Sequence, residues 1–248
     1  MATVNDFRIL AAGDAALVVE FGDAIDRAVN DRVLALAERI DRAGLPGVVE
    51  TIPTFRSLMV AFDPAEIGFE ALAEQIAGLA PTERAARRTT RTWTLPVCYD
   101  VSLAPDLADV AARAGLCVEA LAARHASFAH HVYMLGFLPG QPYLGDLPDD
   151  LVLPRLESPR PRVEAGSVGI AMRMTCIFPK ATPCGLRVIG RTPVPLWRPA
   201  SANGALLEPG DQVVFRPIAL DAFHRMADQV ARGELEIWPD EAAVSCAA

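Results

Sequence analysis

The chain has 248 residues, of which 52% are hydrophobic and 22% charged, and a formal net charge of −8. That length and balance can fill the core of one large domain or two modest ones. A nucleic-acid-binding domain usually shows a basic face, so the acidic balance argues against nucleic acid as a partner.

Residues 1 to about 85 alternate strand and helix signals. Phe7 to Leu10 and Ala15 to Phe21 read as strands around a Gly13-Asp14 turn. Ile25, Val29, Val33, Leu36 and Ile40 fall at helical spacing and predict an apolar stripe ended by Gly44 and Pro46-Gly47. Val48 to Ile52 and Ser57 to Phe62 read as strands, and Phe69, Leu72, Ile76 and Leu79 as a second helical stripe. The sum is a small α/β sandwich over residues 1–88, with helices on one face of a sheet.

Arg84, Arg87, Arg88 and Arg91 make a basic run that reads as a solvated connector. A second domain over residues 89–240 opens with a strand at Trp93 to Cys98 and short helices at Leu107 to Ala114 and Val118 to Ala126. Strands are expected at His131–Leu135, Ser167–Met172, Leu186–Ile189 and Gln212–Arg216, with Pro209-Gly210 in a type II turn. Short strands between turn residues suggest a barrel or a sandwich, and the fold class is α+β. Asp221 to Arg232 reads as a closing helix.

No run of about 18 apolar residues predicts a membrane span. The start, MATVNDFRIL, lacks the basic region and apolar stretch of a secretory signal. Five cysteines at spacings that match no zinc motif fit reduced thiols in the cytoplasm.

Among chemistry-bearing residues, His130 and His131 are adjacent on an expected strand, so they point to opposite faces and make a poor metal pair. His125 ends a helix, either as a partner of the helix dipole or as a polar group at a cleft that leads into the barrel. Ser167 lies in a G-S-V-G run, which is not a nucleophile elbow, and reads as structural. Cys176 and Cys184 read as buried bystanders. No phosphate-binding glycine loop is present. Arg155, Arg160, Arg162 and Arg191 lie in or beside proline-flanked loops. A rigid loop there either presents a guanidinium fork to a substrate carboxylate or amide, or ties itself to backbone carbonyls.

Several short runs, taken in order, resemble one family. In the first half they are Pro46-Gly47-Val48-Val49-Glu50 and Ser57-Leu58-Met59-Val60 with Asp63-Pro64. In the second they are His125, Gly136-Phe137, Pro139-Gly140, Tyr143-Leu144-Gly145, Pro154-Arg155, Pro159-Arg160, Ala165-Gly166-Ser167-Val168-Gly169-Ile170-Ala171, Ile189-Gly190-Arg191-Thr192-Pro193, and Leu207 with Pro209-Gly210-Asp211. Their shared order resembles the allophanate hydrolase subunit 1, or KipI, family, which includes the B component of bacterial ATP-dependent 5-oxoprolinase.

The resemblance implies a cyclophilin-like β-barrel in the second domain. It also implies a partner of the KipA, or allophanate hydrolase subunit 2, type, with a LamB/YcsF-type protein as a third component. The implied reaction opens a small lactam, amide or ureido compound at a site shared with the partner, 5-oxoproline to glutamate first among them, driven by ATP with Mg. In that setting His125, Arg160 and Arg191 are the candidate catalytic residues, and Arg155, Met172, Met174 and Thr175 the candidate substrate contacts. The alternative reading is a regulatory binding module, as in a KipI-type histidine kinase inhibitor.

The chain also departs from the family pattern. Gln141 stands where an aromatic is usual, Asp146 where glycine is usual, and Glu164 where proline is usual. The usual A-G-x-Q-T-G reads Ala171-Met172-Arg173-Met174-Thr175-Cys176, and the usual P-G-G-W reads Pro183-Cys184-Gly185-Leu186. Met172 and Cys184 in place of glycine are expected to add volume where the backbone needs close approach.

Overall fold

The structure is a computed structural model that describes residues 7–80, 90–199, 204–234 and 237–240. It divides into two compact units, Met1–Arg88 and Thr89–Ala248. Arg84, Arg87 and Arg88 of the basic run, and Cys246, lie outside the described residues.

The first unit runs β1 (Arg8–Ala11), β2 (Ala16–Glu20), α1 (Arg27–Ala43), β3 (Val48–Pro53), β4 (Ser57–Phe62) and α2 (Phe69–Leu79). The strands form one antiparallel sheet in the order β1-β2-β4-β3. Strict alternation along β2 and β4 sends Leu17, Val19, Leu58, Val60 and Phe62 into one core. Val33, Leu36 and Ile40 of α1 and Leu72 and Ile76 of α2 close over it.

The start of α1 differs from the expected stripe. Asp26 caps the helix, accepting from Ala28 N at 2.7 Å and Val29 N at 3.3 Å, so Ile25 precedes the first turn and is 58% exposed. The other end is as expected: Gly44 adopts the left-handed conformation and its N–H returns to the carbonyls of Ile40 and Asp41.

The second unit contains β5 (Thr92–Cys98), α3 (Leu107–Arg113), α4 (Val118–Ala126), β6 (Ala129–Leu135), β7 (Pro142–Leu144), β8 (Arg160–Val163), β9 (Ser167–Ala171), β10 (Met174–Ile177), β11 (Thr182–Cys184), β12 (Arg187–Arg191), β13 (Gln212–Ile218) and α5 (Leu220–Ala231). Seven strands close into a barrel in the order β10-β7-β6-β13-β5-β12-β9, completed by the β9–β10 hairpin. Closure leaves no free edge among these strands. Among the described strands, β5 and β13 are the one parallel pair. β8 and β11 form a separate two-stranded antiparallel pair.

β7, β8, β10 and β11 were not expected as strands. Each has only three or four residues, and β8 carries Pro161, tolerated because its one paired neighbour is β11. The turn before β13 is the expected one. Gly210 has φ +96 and Asp211 N bonds Glu208 O at 3.1 Å. The Asp211 carboxylate then ties that turn to β5, accepting from Arg91 Nε and Nη2, Trp93 Nε1 and Glu208 N at 2.7–3.0 Å. Among the described residues no helix is long and apolar enough to cross a membrane.

Candidate functional site

Most of the candidate residues fall into three places on the second unit, with Arg155 and Met172 outside them. The first is an enclosed polar cluster. His125, in the last turn of α4, stacks on Phe215 of β13 with ring centroids 4.9 Å apart. Its Nδ1 lies 2.8 Å from the Tyr99 hydroxyl and its Nε2 3.0 Å from Thr175 Oγ1. One ring nitrogen donates and the other accepts, and the two hydroxyls suit either tautomer. The His130 ring lies against His125, with Nε2 donating to the His125 carbonyl at 3.0 Å and Nδ1 left without a partner.

His125 therefore does not stand at an open cleft; its ring is fully buried, with both nitrogens engaged. Burial pushes its pKa well below the usual imidazole range, helped by His130 beside it, so it is neutral at pH 7. His130 is lowered to about 4, chiefly by burial. The Tyr99 hydroxyl is pushed up by burial and stays protonated. Thr175 is fully buried in this cluster, while Met174 next to it is half-buried. Both adjacent histidines are buried: His130 packs near Phe215 and His131 against the Tyr133 ring.

Second is a cavity of about 250 Å³ around Arg160, bordered by Ser102, Pro105, Glu164, Ser167 and Val188. Arg160 is the first residue of β8 rather than part of a loop. Its Nη2 donates to Asp106 Oδ1 at 2.6 Å, and Asp106 Oδ2 accepts from Val188 N at 2.7 Å. Arg160 Nη1 is buried and has no partner. Asp106 is 5% exposed and sets the guanidinium, yet nothing local in the sequence marks it, because its partner lies 54 residues away.

The third place is a cavity of about 240 Å³ lined by Arg191, Thr192, Leu196, Phe223, Ala227 and Val230, among others. Arg191 ends β12, donates Nε–H to the Ala165 carbonyl at 2.8 Å, and lies over the Phe223 ring at 5.7 Å. The two cavities share a wall, the turn from Glu164 to Ser167. Arg155 lies apart from both in an exposed loop. Its charge counters, in part, the upward shifts that burial imposes on Cys176, Cys184 and Tyr143. Met172 is 57% exposed at the β9–β10 turn.

Residues 7–207 match the sequence pattern of the carboxyltransferase domain, subdomain C and D. The chain belongs to that family. A relative from Bacillus subtilis (strain 168), named as the B component of 5-oxoprolinase, is 37% identical over 237 residues, which is 90% of this chain and 98% of the relative. The crystal structure of TTHA0988 is similar at TM-score 0.74 and 37% identity, over 82% of this chain and 40% of that one. The Kluyveromyces lactis urea amidolyase shares the fold at TM-score 0.76 and 21% identity, over 96% of this chain and 16% of its own. The likeness to the allophanate hydrolase subunit 1 or KipI family, read from the ordered turn motifs, agrees with these matches.

Placed on the carboxyltransferase fold, the departures from the motif have separate physical meanings. Asp146 and Met172, both at family glycine positions, have φ +68 and +52. Glycine accepts such a left-handed backbone without steric cost. Met172 does not crowd a close approach as expected, because its side chain points to solvent. Asp146 turns its departure to use by accepting the Tyr133 hydroxyl at 2.8 Å. Gln141 is 2% exposed with Oε1 unpartnered. Cys176 is buried and pushed up to about 12, chiefly by burial, so it is an inert thiol. Cys184 is also raised by burial, and its Sγ accepts from Leu186 N at 3.1 Å.

Proposed function

We propose that this chain is one component of an ATP-dependent amidohydrolase that opens a small lactam, amide or ureido compound, with 5-oxoproline to glutamate as the leading reaction. The observation that carries this reading is the match to a protein named as the B component of 5-oxoprolinase, across 98% of that relative's length. The barrel is read as the cyclophilin-like barrel of the family, and the compartment as the cytoplasm. The partner is of the KipA or allophanate hydrolase subunit 2 type, with a LamB/YcsF-type protein completing the assembly.

ATP with Mg would supply phosphoryl activation of the amide oxygen. Among the described residues no cluster of carboxylates, histidines or cysteines is placed to hold a metal ion, and in this reading the nucleotide belongs to the partner. This chain's share is positioning and charge stabilisation. Arg160, held by Asp106, and Arg191, held by Ala165, are the candidate anchors for substrate oxygens. His125 acts through Thr175 and Tyr99, fixing the side of the barrel on which Met174 and Thr175 lie. Arg155 and Met172 are exposed and available to a surface shared with the partner.

The test is co-expression with the KipA-type and LamB/YcsF-type proteins, followed by ATP hydrolysis with and without 5-oxoproline. The reading expects stimulated hydrolysis with glutamate formed in step. A stable complex without stimulation would move the substrate to another amide or ureido compound. Failure to form any complex would favour a regulatory role of the histidine kinase inhibitor kind.

A further inference from the structure

Arg191 is the one charged residue among the described residues that line the third cavity. Its Nε is occupied by the Ala165 carbonyl and its face by Phe223, while Nη1 and Nη2 have no hydrogen-bond or ion-pair partner among the described residues. Glu164, in the adjoining turn, feels the Arg191 charge but pairs with Arg162 at 2.8 Å. The other lining side chains are mostly apolar, among them Pro193, Val194 and Leu196 and, from α5, Phe223, Ala227 and Val230. Among the described residues this cation has no ion-pair partner.

The geometry points to a binding site for a small monocarboxylic acid, with its carboxylate on the Nη1/Nη2 fork of Arg191 and its apolar body against α5. A guanidinium whose Nε is taken presents its two terminal nitrogens end-on, which matches the two oxygens of one carboxylate. Thr192 lines the same cavity but is 2% exposed, and its Oγ1 accepts from Val194 N at 3.2 Å. A phosphate is a poorer fit, since the lining holds no second cation among the described residues. The volume, about 240 Å³, lies below that of drug-sized pockets and suits a single small ring. The inference deepens the proposed function by placing the substrate's carboxylate, and rests on that reading only for which acid fills the site.

The test titrates three probes into the full chain by calorimetry: 5-oxoproline, cyclopentanecarboxylate, and 2-pyrrolidinone, the lactam without the carboxylate. Both acids are expected to bind, and 2-pyrrolidinone at least about tenfold more weakly. Arg191→Gln is expected to weaken both acids by roughly 10- to 100-fold, the usual range for a lost charge-assisted hydrogen bond. Arg191→Lys keeps the charge but not the fork and should fall between. Ala227→Phe fills the cavity from α5 with Arg191 intact and should block both acids, so the site is tested even if the arginine variants fold poorly.

The inference is overturned if the wild-type chain binds neither acid, if 2-pyrrolidinone binds as tightly as the acids, or if folded Arg191→Gln and Ala227→Phe leave their affinities unchanged. Binding of both acids through Arg191, in a chain whose assembled complex does not turn over 5-oxoproline, would sustain the site and remove the oxoprolinase reading. Turnover by the complex that is indifferent to Arg191→Gln would do the reverse.

Discussion

Arg191 and Ala165 are joined by a 2.8 Å hydrogen bond across 26 residues, and it holds the end of β12 against the turn that separates the two cavities. Gly166, next to Ala165, has φ +80, and a Cβ there would lie 2.1 Å from the Thr192 carbonyl oxygen. The obstacle is backbone, which cannot rotate away. Gly166→Ala is expected to destabilise the second unit by roughly 2–4 kcal/mol, read as a lower midpoint in urea. A midpoint unchanged from wild type would mean that the turn is not packed against β12 in this way.

Asp211 is the buried acceptor for Arg91, the Trp93 indole and the Glu208 amide. Asp211→Ala strands the indole N–H and the amide together. The expected loss is about 2–3 kcal/mol, with Trp93 fluorescence reporting the loosened end of β5. Asp211→Asn keeps acceptor capacity and should recover part of it.

His125 and His130 are buried neutral, so acid acts against the fold. In the unfolded chain both titrate near 6.5, whereas in the folded chain His130 is lowered to about 4 and His125 is also lowered well below that ordinary value. Between those values the unfolded state binds more protons. Stability is thus fully present above about pH 6.5 and is lost as pH falls toward 4. Asp146 opposes part of the shift at His130. Thermal midpoints measured from pH 7 to 4.5 should fall, and His130→Gln should make that slope shallower. An identical slope in the variant would exclude His130 as its source.

Met172 carries a side chain at φ +52 and gains little burial for it, being 57% exposed. A left-handed backbone costs an L-residue about 1–2 kcal/mol, offset in part by the extra freedom glycine gives the unfolded chain. Met172→Gly is therefore expected to stabilise by about 0.5–1 kcal/mol and raise the melting temperature by a few degrees. Asp146→Gly, at φ +68, should show a smaller gain because it also removes the acceptor of the Tyr133 hydroxyl. If both variants gain equally, the Tyr133 bond carries no weight.

The sequence by itself determined the elements whose signal is local. The apolar spacing of Val33, Leu36 and Ile40, the Gly44 stop, the alternation in β4 and the Pro209-Gly210 turn are each written within one or two turns of chain. The ordered motifs likewise carried the family, since turn residues answer to backbone angles that any member must adopt.

Tertiary structure alone decided what those elements do to the functional side chains. Whether Arg160 meets Asp106, whether His125 faces solvent or lies between Tyr99 and Thr175, and whether β7 and β10 are strands at all depend on partners 26 to 54 residues away or across the barrel. No local periodicity encodes such pairings. They follow from closing the barrel, which fixes the burial, hydrogen bonding and charge environment of each group at once.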